Sequence, residues 1–117
     1  MSRLSTHVLD TARGQPAAGV AVTLYRVTPT GREQVLATRT NADGRTDGPL
    51  LAGDTMAVGT YELDFEAGAY FRAVGETLPQ PAFVDRVTLR FGIADPNGHY
   101  HVPLLVSPWS YSTYRGS

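Results

Sequence analysis

Cysteine is absent from the 117 residues. Disulfides, thiolate nucleophiles and cysteine-ligated metal sites are therefore excluded. Lysine is absent as well, every basic residue being an arginine. Neither sign of charge is in excess: 10 basic residues stand against 11 acidic ones, a formal net charge of −1. Such a balance lacks the electrostatic footprint of a nucleic-acid or anionic-membrane binder. No apolar run is long enough to span a bilayer. The opening MSRLSTHVLD also lacks the apolar stretch of a secretory signal, so the sequence predicts a cytoplasmic protein. Internal repeats, low-complexity tracts and linkers are missing too. A chain of this length supports one core and not two, which predicts a single domain over residues 1–117.

What is present is a period of two. In RVTLRFGI, Val87, Leu89, Phe91 and Ile93 share one face and Arg86, Thr88 and Arg90 the other. In GTYELDFE, Tyr61, Leu63 and Phe65 alternate with Glu62, Asp64 and Glu66; GVAVTLYR places Val20, Val22 and Leu24 together, and EQVLATRT reads as a further strand. Turn chemistry separates these runs at Gly14 to Pro16, Pro29 to Gly31, Asn41 to Gly44, Asp47 to Pro49 and Asp95 to Gly98. Short strands at this spacing predict an antiparallel sandwich. AGAYFRAVGE breaks the pattern and predicts one short surface helix closed near Gly75.

The last segment, HYHVPLLVSPWSYSTYRGS, carries the chemistry. Tyr100, Val102, Leu104 and Val106 should face the core, leaving His99, His101, Pro103 and Leu105 on the other face. A solvated strand face ordinarily carries charge; this one carries two imidazoles and apolar groups. It predicts either a face covered by another subunit or shaping a pocket, or two plain surface histidines. Pro108 stops the ladder, and a final strand over roughly Tyr111 to Arg115 should fold back and bring Tyr114 near the histidines. The remaining singular residues are His7 in LSTHVLD, expected on the first strand, and Arg45 between two Asp-Gly turns in NADGRTDGP. Taken singly, each reads as structural or solvated.

Taken together, LSTHVLDTARGQPAAGV, TNADGRTDG and HYHVPLLVSPWSYSTYRGS resemble the 5-hydroxyisourate hydrolases, the enzyme branch of the transthyretin-like family, over essentially the whole chain. The terminal YRGS is the most specific stretch, since the hormone-carrying transthyretins lack it. The resemblance implies an all-β, prealbumin-like antiparallel sandwich of seven or eight strands with one short helix, assembled as a homotetramer with sites at the dimer–dimer interface. It implies hydrolysis of 5-hydroxyisourate to 2-oxo-4-hydroxy-4-carboxy-5-ureidoimidazoline in purine breakdown, with no cofactor and no metal. Carried over residue by residue, the catalytic groups fall on His7, Arg45 and His101. Substrate contacts fall on His7, Arg45, Tyr114 and Ser117. His99, two residues from His101 on the same face, is a supporting candidate. An ending directly after YRGS leads to the expectation that the last residues wall the site and that an added tail would obstruct it.

These residue types suit the reaction. Opening an acyl–nitrogen bond needs a base for water, a partner for the oxyanion and an acid for the leaving nitrogen. Histidine titrates near neutral pH, at about 6.5 when unperturbed, and the arginine fork fits a carbonyl edge or oxyanion. Which histidine is the base is left open by the sequence. Ser5, Ser112 and Ser117 lie in no Gly-x-Ser-x-Gly elbow, so an acyl-enzyme finds no support. A His-x-His metal site would need a third ligand. Two further readings compete: a transthyretin-type carrier of a small ligand, and a structural sandwich module.

Overall fold

A computed structural model describes residues 2–116. Along the chain, β1 (Arg3–Ser5), β2 (Val8–Asp10) and β3 (Gln15–Pro16) precede the hairpin β4 (Ala21–Thr28) and β5 (Gly31–Arg39). Then come β6 (Leu51–Ala52), β7 (Gly59–Glu66), helix α1 (Ala67–Ala73) and β8 (Arg86–Ile93), followed by β9 (His99–His101), β10 (Leu104–Val106) and β11 (Tyr111–Thr113). The alternating segments form one antiparallel sheet in the order β5-β4-β7-β8. Its register sets Val22 beside Phe65 and Phe65 beside Val87, with Leu24, Leu63 and Leu89 in the next row. Those rows are buried, and Leu24, Leu63 and Phe65 are fully closed to solvent. Each such side chain contributes about 1.5–3 kcal/mol through removal from water.

The second sheet faces these rows with Leu4, Val8, Leu104 and Val106. Its orders, β6-β1-β9 and β11-β10-β2-β3, are two halves of one layer. β1 and β2 are a strand interrupted at Thr6, and β9 and β10 a strand interrupted at Val102 and Pro103. Across the interruption, Val102 N–H donates to Ser5 C=O at 2.9 Å and Leu104 N–H to His7 C=O at 2.9 Å. The buried Thr6 hydroxyl donates to Val102 C=O at 2.7 Å, while Pro103 has no N–H to give. Joined in this way, and with the two-residue β3 and β6 set aside, the described residues form seven main strands, within the expected seven or eight.

Two details differ from the local reading. The first strand pairs with β9 and β10 in parallel, Ser5 beside His101 and Val8 beside Leu104. Helix α1 is half-buried and not a surface element: Ala67, Gly68, Tyr70 and Phe71 are inside. The Tyr70 hydroxyl donates to Asp10 Oδ2 at 2.8 Å, and the Ala12 and Arg13 amides donate to Asp10 Oδ1 at 3.0 Å. Burial, together with the bond to Asp10, pushes the Tyr70 phenol up to about 12. This lock fixes the end of β2, the strand that follows His7. Tyr70→Phe leaves a buried carboxylate oxygen short of a donor and should cost about 1–3 kcal/mol. A urea midpoint equal to the unaltered protein's would refute that role. Among the described residues, no helix is long and apolar enough to cross a membrane.

Candidate active site

The parallel pairing creates the site. Because Arg3 lies beside His99 and Ser5 beside His101, the outward positions of two strands nearly a hundred residues apart in sequence become one surface. A third segment joins them: His7 and Arg45 form an isolated antiparallel bridge. Arg45 is delivered by a tightly tied turn. Asn41 Oδ1 accepts from the Asp43 amide at 2.9 Å and from the Arg45 amide at 3.2 Å, and the Asn41 amide donates to Arg45 C=O at 2.7 Å. Gly44 sits at φ +76 with its Cα against the Val8 carbonyl, where any Cβ would collide with backbone. The turn thus lies flat on the start of β2, and Val8 N–H donates to Gly44 C=O at 2.7 Å.

The resulting cavity of about 290 Å3 is lined by Arg3, Ser5, Arg45, His99, Tyr100 and His101. A second hollow of similar volume shares Arg3, Ser5 and Arg45 and runs on toward Thr46, Gly48 and Pro49. Among the described residues, no carboxylate lines either one. The ion pairs among the described residues involve Arg32, Arg86 and Arg90, which leaves the Arg3 and Arg45 guanidiniums without an acidic partner there. The described lining is electropositive and suited to an anionic ligand with hydrogen-bond acceptors.

The two histidines are held by different partners. Burial, and then the positive fields of Arg45, His7 and Arg3, hold the His101 imidazole below its ordinary pKa; it stands neutral at neutral pH, with a basic nitrogen available. Its Nδ1 lies 2.9 Å from Ser5 Oγ. His7 Nε2 lies 2.8 Å from Asp43 C=O. A carbonyl only accepts, so Nε2 carries the hydrogen and the lone pair of neutral His7 is at Nδ1.

Of the site residues expected from sequence, Arg45, His99 and His101 line the cavity. His7 stands beside it through the Arg45 bridge and close enough to His101 to depress its pKa. Tyr114, 58% exposed, is not among the lining residues; it borders a different cavity, with Tyr100, Val102 and β8 residues. Ser117 lies outside the described residues. Among the described residues, no three His, Cys, Asp or Glu side chains are gathered as metal ligands. Arg3, Asn41 and Asp43 were not singled out in the sequence, and Ser5 was weighed there only as a nucleophile. The alternation of Arg3, Ser5 and His7 was the available signal for the first strand. The roles of Asn41 and Asp43 lie in backbone bonds with no sequence signature beyond a turn.

The fold agrees with a comparison against known families. The HIUase/transthyretin family model matches residues 4–116; the chain belongs to that family. A protein of Ralstonia nicotianae named 5-hydroxyisourate hydrolase is 60% identical over the full length of both chains. The solved Klebsiella pneumoniae 5-hydroxyisourate hydrolase is 38% identical with a TM-score of 0.82, each chain covered completely. Transthyretin from Sparus aurata superposes with a TM-score of 0.86 at 29% identity, over 97% of this chain and 96% of its own.

Proposed function

We propose that the chain, acting as one domain over its length, hydrolyses 5-hydroxyisourate to 2-oxo-4-hydroxy-4-carboxy-5-ureidoimidazoline in urate breakdown, without metal or other cofactor. The observation that carries this reading is the meeting of His7, Arg45 and His101 on one sheet face from three distant segments. Identity to a named 5-hydroxyisourate hydrolase from end to end supports it. Water adds to the ring acyl carbon as its proton passes to a neutral imidazole, which His101 and His7 share in positioning. Arg45 holds the carbonyl edge and meets the charge that grows on its oxygen. The carbon–nitrogen bond then breaks as the imidazolium returns the proton to the leaving nitrogen, and the new carboxyl group ionises. Carbon-13 NMR of the products should show the ureidoimidazoline rise in step with substrate loss. Binding without turnover would instead favour a transthyretin-type carrier, the reading that shared fold alone would allow.

A pH profile tests the electrostatics. Since His101 must be neutral to accept a proton and its pKa is held below 6.5, kcat/KM should fall on the acid side only below about that pH. Removing one of the lowering charges, by Arg3→Gln, should move this limb to higher pH. A limb that stays put or moves down would show that the fields at His101 have been assigned wrongly.

We further read the active form as a cytoplasmic homotetramer. Leu105 is half-buried and uncharged on the histidine-bearing face, where Pro103, expected to face outward, is buried within the chain itself; Trp109, Tyr111 and Tyr114 are 61%, 50% and 58% exposed in the isolated chain, which favours cover by other copies. Light scattering should give about 50 kDa for four chains of 12.6 kDa. A stable monomer at micromolar concentration would remove the interface and revive the structural-module reading.

A further inference from the structure

We infer that Ser5 and Gly116 are positioning residues that hold the His101 ring from its two edges, Ser5 by accepting a hydrogen bond from Nδ1 and Gly116 by having no side chain, so that His101 meets substrate through Nε2. The inference rests on the role of His101 in the hydrolysis proposed above. Ser5 and His101 are register partners in the parallel pair, and Ser5 Oγ lies 2.9 Å from Nδ1. On the other side, Gly116 bridges His101, its amide donating to His101 C=O at 2.8 Å. A Cβ added at Gly116 would come within 2.8 Å of His101 Cδ2 and 3.2 Å of its Cβ. The Nδ1 edge is therefore taken by one neighbouring strand and the Cδ2 edge lies flush against the other. Cε1 and Nε2 are left as the free end of the ring.

The direction of the Ser5 bond follows from the charges in the cavity. Arg3 and Arg45 line it with His101, and a guanidinium has only donors to offer. A second N–H pointing at them is disfavoured, whereas a lone pair at Nε2 is stabilised. The hydrogen of the neutral ring accordingly sits on Nδ1 and is donated to Ser5. The bare glycine has the complementary task. An alanine there must push the imidazole aside, and a displacement of about 1 Å in a reacting group can cost roughly 100-fold in rate.

Kinetics on the full chain and nitrogen-15 NMR of the histidine rings test this together. Ser5→Ala should lower kcat by roughly 10- to 100-fold, the range found when the partner orienting a ligating histidine is removed, with KM little changed. Ser5→Thr should restore the rate, and Gly116→Ala should reproduce the loss. In the ligand-free protein, His101 should carry its hydrogen on Nδ1, and Ser5→Ala should give a mixture of tautomers; this readout does not depend on turnover. Unchanged kcat in Ser5→Ala, or a hydrogen found on Nε2 in the unaltered protein, overturns the role of Ser5. Unchanged kcat in a folded Gly116→Ala overturns that of Gly116. His101→Asn separates the two levels. Full activity there defeats the reading of the site itself, whereas an inactive His101→Asn beside a fully active Ser5→Ala defeats only this inference.

Discussion

His101→Asn should lower kcat for 5-hydroxyisourate by at least about 100-fold, the lower end of what a positioned general acid–base group supplies, with a melting temperature within a few degrees of the unaltered protein. Asparagine keeps a polar group within reach of Ser5 but offers no nitrogen that can take and return a proton near neutral pH. The small thermal effect follows from placement: His101 is half-buried at the sheet surface, and the closed core beneath is made by Leu4, Val8 and Leu104. Arg45→Ala should show a loss of similar size, since removing one electrostatic partner of a developing oxyanion costs on the order of 100- to 1,000-fold. Rapid-mixing kinetics beside a thermal melt decide the matter. A His101→Asn protein that keeps full kcat, while His99→Asn loses it, would exchange the parts given to the two histidines.

The second large effect concerns the end of the chain. Deleting residues 114–117 should reduce hydrolysis by about 100-fold or more, because Gly116 and its backbone bond to His101 go with it and the imidazole loses one wall. The sequence alone leads one to expect little loss of stability. The structure raises that expectation: Arg115 donates to His99 C=O at 3.0 Å, and its guanidinium lies 4.3 Å from the centre of the Tyr100 ring. With the Gly116 amide bond, two hydrogen bonds and an exposed cation–π contact amount to roughly 2 kcal/mol. The truncated protein should therefore melt several degrees lower yet still fold. Full activity after truncation would show that the terminal segment has no part in the site.

The sheets were legible because alternation is a local signal. Val87, Leu89 and Ile93, or Tyr61, Leu63 and Phe65, announce a buried face without reference to any other strand. Pairing is not local. Nothing in LSTHVLD or HYHVPLLV states that the two run side by side in parallel, yet that pairing brings Ser5 to His101 and Arg3 to His99. The same limit explains Asp64, which alternation assigned to the polar side and which is 2% exposed. Burial alone would raise its carboxyl, but bonds from Arg32 and Thr88 hold it below the ordinary carboxylate range, and Arg32 comes from a different strand. The helix read as a surface element for a related reason: Tyr70 and Phe71 are adjacent and make no apolar stripe, and the anchor that draws Tyr70 inward is Asp10, sixty positions earlier. His7 and Arg45 came from family resemblance, whereas His101 is also marked by the uncharged outer face of its own strand. What geometry adds is their placement, around a hollow whose described lining is electropositive and whose fields, with burial, hold the His101 pKa down.

The central claim, that this hollow opens the ring of 5-hydroxyisourate, is tested most directly by ultraviolet absorbance. Freshly generated 5-hydroxyisourate is followed at neutral pH, in the presence of a chelator, with and without the full chain. The account predicts decay many-fold faster with protein, in proportion to its concentration and unaffected by the chelator. Decay at the uncatalysed rate, or acceleration that vanishes with chelator and returns with zinc, would contradict it.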